Sequence, residues 1–96
     1  MKRKTAIAIG DLVKDYLRQE GLETPLNQYR LIQSWGDVMG AGIMRYTGDI
    51  FIRNQTLWVK INSSILRQEL EIGRKQIVRR LNEYVGAQVI TDVKYY

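Results

Sequence analysis

The sequence predicts an α+β domain, order α-α-β-β-α-β, in which helices cover one face of a three-stranded sheet. Residues 49–53 (Asp-Ile-Phe-Ile-Arg) and 56–62 (Thr-Leu-Trp-Val-Lys-Ile-Asn) are apolar-rich and alternate with period two on either side of the polar pair Asn54-Gln55. That is the signature of a β-hairpin. From Leu66 the period lengthens. Leu66, Leu70, Gly73, Ile77, Leu81 and Tyr84 recur every three or four residues, which marks one face of a helix about five turns long. Helices and strands do not alternate singly, so the class is α+β rather than a wound parallel sheet.

The elements follow in order. Residues 1–4 are a basic tip and are expected to fray. A first helix is expected from Ala6 to Glu20, with Ile9, Leu12, Val13, Tyr16 and Leu17 as its apolar stripe and Gly21 where a left-handed terminating residue belongs. Thr24-Pro25 starts a second helix, since Thr caps and Pro at the first helical position sacrifices no hydrogen bond. It runs to Met39, with Tyr29, Leu31, Ile32, Trp35 and Val38 or Met39 on its apolar face and Trp35 as a core anchor. Gly40-Ala-Gly42 loosens the backbone, and residues 43–47 can form one more helical turn. In the hairpin, Ile50, Ile52, Leu57, Val59 and Ile61 point to the core, and Phe51, Arg53, Trp58 and Lys60 point away. Ser63 or Ser64 caps the long helix, and Gly86 ends it. Residues 88–96 read as a final strand, with Val89, Thr91, Val93 and Tyr95 in one register.

Ninety-six residues make one domain over 1–96, with room for a single modest core. No apolar run approaches the roughly 20 residues that span a bilayer. The run Ala6–Ile9 is too short for a signal-peptide core, so a cytoplasmic protein without membrane contact is expected. The chain has no Cys and no His. That removes a thiol nucleophile, an imidazole base and a zinc site of Cys/His type. No Gly-rich phosphate loop or dinucleotide turn occurs, and the carboxylate pairs Asp11/Asp15 and Glu69/Glu71 read as solvated helix positions. The expectation is a non-enzymatic protein without cofactor or metal.

The formal net charge of +5 favours an anionic partner. On a continuous helix, Arg67, Arg74, Lys75 and Arg79 fall within roughly 140° of arc beside the core stripe. They form either a phosphate-contacting ridge or a solvated face braced by the i,i+4 pairs Glu71–Lys75 and Arg79–Glu83. Phe51, Arg53, Trp58 and Lys60 on the outer sheet face resemble a nucleic-acid platform. With only two aromatics there, a cross-strand pair covered by another element or by a second copy is the slightly favoured alternative.

From Trp35 onward the chain resembles the DciA family of bacterial replicative-helicase loaders, long catalogued as domain-of-unknown-function family 721. The residues that carry the resemblance are Trp35-Gly-Asp-Val-Met-Gly40, Tyr46-Thr47, Leu57-Trp-Val-Lys-Ile-Asn-Ser-Ser64, Gln68-Glu-Leu70, Leu81-Asn82 with Gly86, and the strand from Val89 to Tyr96. The upstream helix with Gly21-Leu22 fits more loosely. The resemblance implies a KH-like domain and an ATP-independent role, in which the protein binds the DnaB-type hexameric helicase and DNA and helps place the helicase on single strands during replication. Many members append a long basic segment that contributes to both contacts. With the sequence ending at Tyr96, weak DNA binding or work mainly through protein contacts is expected. The Gly-x-x-Gly clamp of true KH domains is missing, so nucleic-acid binding in the KH manner is not expected. On this reading Arg67, Arg74, Lys75 and Arg79 contact single- or double-stranded DNA, with Arg45, Arg53, Trp58 and Lys60 as secondary contacts. The rival readings are a protein-interaction module that docks a helicase or a weak homodimer partner through Phe51/Trp58, and a small RNA-binding protein.

Overall fold

The computed structural model describes residues 23–96, together with Val13 and Gly21. Of the helix expected over 6–20, only Val13 is described, as helical; the rest lies outside the described residues. Gly21 takes a φ of 68°, the left-handed conformation expected at that position. The described elements are α1 (Glu23–Met39), α2 (Ala41–Met44), β1 (Thr47–Arg53), β2 (Thr56–Ile61), α3 (Ser64–Ile72), α4 (Arg74–Val85) and β3 (Asp92–Tyr95). The α+β class with helices on one face of a three-stranded sheet is as the sequence predicts.

The sheet is mixed, with order β1-β2-β3. β1 and β2 are antiparallel, with Phe51 opposite Trp58 and Arg53 opposite Thr56. Asn54 and Gln55 connect them with φ of 53° and 60°. Two successive positive φ values are what a two-residue hairpin of primed type requires, because its twist matches that of the flanking strands. Gly48 and Asp49 together face Lys60, since Thr47 pairs with Ile61 and Ile50 with Val59. This two-against-one count is a β-bulge, and it bends the edge strand. β2 and β3 are parallel, with Leu57 beside Val93 and Trp58 beside Lys94. Parallel neighbours need a long crossover, which α3 and α4 supply.

One core lies between the sheet and the helices. Leu31 and Trp35 of α1, Leu57, Val59 and Ile61 of β2, Leu70 of α3, Ile77, Leu81 and Val85 of α4, and Ile90 and Val93 share it. Trp35 is fully buried, as expected of an anchor. Its indole Nε1 donates to Thr47 Oγ1 at 3.1 Å, and that hydroxyl donates to the Ile43 carbonyl at 2.8 Å. A buried Trp N–H thus finds its partner through a second polar group, which ties α1 to the start of β1. Ser63 caps α3 by accepting from Leu66 N. Arg80 donates to the Val38 carbonyl at 3.0 Å, and Tyr84 donates to Asp37 at 3.2 Å, so α4 is fastened to the end of α1.

Several expectations are corrected. The long helix is two helices, because Gly73 (φ −95°, ψ 19°) leaves helical geometry and redirects the chain. Tyr29 and Tyr84, expected on apolar stripes, are exposed, and Val85 is buried in the α4 stripe. The last strand is shorter than 88–96. Residues 88–91 are irregular, and Ile90 rather than Val89 is fully buried. Asn82 accounts for this. Its Oδ1 accepts from Val89 N and Ile90 N, and its Nδ2 donates to the Ile90 carbonyl at 2.8 Å. A buried amide with all three partners fixes a loop where alternation alone predicted strand.

Candidate nucleic-acid interface

The face of the sheet away from the helices gathers an aromatic cluster. Alternation along β1 and β2 turns Phe51 and Trp58 outward, and pairing puts them side by side. Their rings are 6.1 Å apart and nearly parallel, at 9°. Parallel pairing of β2 with β3 adds Lys94 beside Trp58. Two residues further, Tyr96 continues the ladder: its N–H donates to the Val59 carbonyl at 3.1 Å, and its carbonyl accepts from Ile61 N at 2.9 Å. The Tyr96 ring lies 6.2 Å from Phe51 and 6.4 Å from Trp58, tilted against both. The three rings form one patch, with Phe51 36% and Tyr96 43% exposed.

Cations border the patch. The Arg53 guanidinium carbon lies 5.6 Å from the Phe51 ring centroid, and Lys94 Nζ lies 5.3 Å from that of Trp58. The ring quadrupole attracts each cation. Lys60 lays its methylene stem across Gly48, with Cδ 3.2 Å from where a Cβ would stand, so the bulge glycine makes room for it. Asp92 begins β3 opposite Thr56, and its carboxylate accepts from Val93 N and pairs with Arg74 Nε at 3.3 Å. Asp49 stands in the bulge at the margin.

The ridge expected on the long helix does not form as one surface. Arg67 on α3 and Arg74, Lys75 and Arg79 on α4 belong to separate helices across the Gly73 break. Arg67 is half-buried and donates to the Ile61 carbonyl at 2.6 Å, closing the end of β2. Arg74 bridges Glu71, at 3.4 Å, and Asp92. Glu71 therefore turns to Arg74 rather than to Lys75. Lys75 and Arg79 are exposed on α4, and Arg45 is exposed after α2. The sheet face thus brings Arg53, Trp58 and Lys60 together and leaves Arg45, Lys75 and Arg79 elsewhere. Sequence reasoning missed Lys94 and Tyr96 as members of this face. The alternation that buries Val93 would have turned both outward, but only the parallel pairing sets them beside Trp58.

Two phenols illustrate the electrostatics. Tyr84 is raised above the usual tyrosine range by its hydrogen bond to Asp37 and by that carboxylate's charge. Tyr95, on the core side of β3 and 6.3 Å from Trp35, is raised further, first by burial and then by the Glu71 carboxylate. Its hydroxyl is enclosed and has no hydrogen-bond partner among the described residues. No cluster of metal-binding side chains occurs among the described residues, and no described helix is long and apolar enough to cross a membrane.

Fold and site together define a small α+β domain with a mixed sheet, one face sheathed by helices and the other presenting aromatic and basic side chains. The family model described as "Dna[CI] antecedent, DciA" matches residues 8–95, and the chain belongs to the DciA family. The family is linked to loading of the DnaB-type helicase and is a non-catalytic adaptor class. The chain is also 21% identical over 91 residues to the UPF0232 protein of Corynebacterium glutamicum (strain R). That alignment covers 95% of this chain and 51% of the relative, so the chain spans about half the length of the curated relative it matches.

Proposed function

We propose that this protein is an ATP-independent adaptor of bacterial DNA replication, working in the cytoplasm, that binds the DnaB-type replicative helicase and DNA and assists loading of the helicase. The observation that carries this is the DciA match, which spans nearly the whole chain. The net charge of +5 supports an anionic partner. We assign DNA contact first to Arg53, Trp58 and Lys60 on the sheet face, then to Lys75, Arg79 and Arg45. Arg67 and Arg74 receive a bracing role, because their guanidinium groups already serve Ile61, Glu71 and Asp92. Ile65 and Ile72 support the protein-contact half of the proposal. They lie seven residues apart on one side of α3 and are 73% and 84% exposed, which suits a protein partner.

The test is a titration of the full chain against its cognate replicative helicase, with and without single-stranded DNA. Saturable binding is expected. No binding up to about 50 μM, a weak limit for a functional complex, would end the adaptor proposal.

A further inference from the structure

We infer that the open sheet face is a stacking platform for a short single-stranded nucleic acid, with Phe51, Trp58 and Tyr96 taking unpaired bases and Arg53, Lys60 and Lys94 taking the flanking phosphates. This deepens the adaptor proposal and rests on it for the biological setting, while the chemistry stands on the face itself. Phe51 and Trp58 are parallel, and Tyr96 closes the patch at 6.2 and 6.4 Å from them. Phe51 is 36% and Tyr96 43% exposed and Trp58 is partly exposed, and rings that solvent reaches attract bases whose own faces are free. Duplex bases are stacked on one another and present only edges and phosphates, so the rings select unpaired strands.

The cations fit the same ligand. Arg53 and Lys94 rest over Phe51 and Trp58, and exposed cation–π contacts are weak enough to be exchanged for a phosphate when a base takes the ring. On this side Asp92 is engaged by Arg74 and Asp49 stands in the bulge opposite Lys60, so Arg53, Lys60 and Lys94 outnumber the remaining carboxylate and the face stays positive. A second copy docked face to face would gather Arg53, Lys60 and Lys94 of both copies into one interface, a concentration of like charge that interfaces avoid. An acidic peptide would satisfy the cations and leave three rings without stacking partners.

The chain carries its own reporter and reference. It has two tryptophans, Trp58 on the platform and Trp35 fully buried with its indole held by Thr47. The full chain is titrated at low salt with short oligo(dT), oligo(U) and a hairpin duplex, following indole resonances and fluorescence. Oligomers are expected to shift and quench Trp58 and leave Trp35 in place. Trp58→Ala should lower affinity about ten- to a hundredfold, and Tyr96→Ala by a similar or smaller factor. Lys94→Gln should reduce the log–log salt slope by about 0.7, one phosphate contact on a single strand. A preference for oligo(dT) or oligo(U) names the source of the strand and supports the platform either way.

Oligomers that bind with Trp58 unmoved and with unchanged affinity for the Trp58→Ala and Tyr96→Ala variants would overturn the proposal. So would duplex that binds this face as tightly as single strands. Absence of strand binding, with Trp58 shifting as protein concentration rises, would overturn it in favour of an interface between copies. Helicase binding is measured on the same samples. If it persists while the rings prove uninvolved, the platform alone fails; if it is absent while the rings take strands, the adaptor proposal alone fails.

Discussion

The two faces of one sheet are built from neighbouring residues of the same strands and meet different fates. Leu57, Val59 and Val93 are fully buried beneath α1, α3 and α4. One position along, Phe51, Trp58 and Tyr96 are apolar enough for a core and yet stand partly in solvent, among Arg53, Lys60 and Lys94. The two tryptophans make the point sharply. Trp35 satisfies its indole N–H inside the fold, through Thr47, whereas Trp58 stands on the outer face with a lysine ammonium 5.3 Å from its ring centroid. Apolar side chains confer stability where helices meet them. Where only cations meet them they add less to stability and stay partly in solvent.

The adjacent pair Leu57 and Trp58 tests that division most severely. Leu57→Ala opens a cavity in the core and should cost about 2–5 kcal/mol, read as a fall in the denaturant midpoint. Trp58→Ala removes a half-buried ring from its pair with Phe51 and should cost less, about 1–2 kcal/mol. Comparable losses in the two variants would mean that Trp58 is structural and that the faces do not differ in kind.

Much of this arrangement was legible in the sequence. Period two around Asn54-Gln55 placed the hairpin and assigned Ile50, Ile52, Leu57, Val59 and Ile61 to the core side, and Thr24-Pro25 placed the start of α1 within two residues, although the helix begins at Glu23 and Thr24 lies inside it. What escaped depends on contacts distant in sequence. The i,i+3/i+4 stripe runs straight through Gly73 because periodicity does not register a change of direction, although a glycine inside a helical pattern was a signal that the chain could turn there. The irregular 88–91 segment is imposed by Asn82, whose burial no local pattern reports. The basic ridge dissolved for the same reason. Arg67 and Arg74 find acceptors on β2 and at the start of β3, which a projection of one helix cannot contain.

Tyr95, which ends β3, and Tyr96, which follows it, repeat the contrast at smaller scale. Tyr96 serves the open face, while Tyr95 buries a hydroxyl that has no partner among the described residues. An unpaired buried hydroxyl is a liability, so Tyr95→Phe should stabilise the protein by about 1 kcal/mol. The variant should also change the alkaline limb. Burial holds the Tyr95 phenol above the value near 10 of an unfolded tyrosine, with Glu71 and Asp92 adding to the effect and Arg74 opposing it. The folded state therefore keeps a proton that the unfolded state has released. The resulting stabilisation is complete below about pH 10 and is lost as pH rises from there through the folded value. Unfolding measured from pH 8 to pH 11 should fall off less steeply in Tyr95→Phe. An identical slope would place the Tyr95 hydroxyl in contact with solvent and remove it from the buried face.

The smallest effect is expected at the turn that joins the strands of both faces. Gln55 holds a φ of 60°, where a β-carbon crowds the backbone by about 1 kcal/mol. Glycine would relieve that crowding while adding freedom to the unfolded chain, and the two terms oppose each other. Gln55→Gly should therefore stabilise by only about 0.5 kcal/mol. The tertiary contact survives the change, because it is the Gln55 carbonyl that accepts from Thr91 N at 2.7 Å and from the Thr91 hydroxyl. Strand affinity should stay as it is, since the turn lies beyond the aromatic row. A change in affinity without a change in stability would extend the open face to the hairpin tip, where Arg53 enters the turn, and would move the boundary between the two faces.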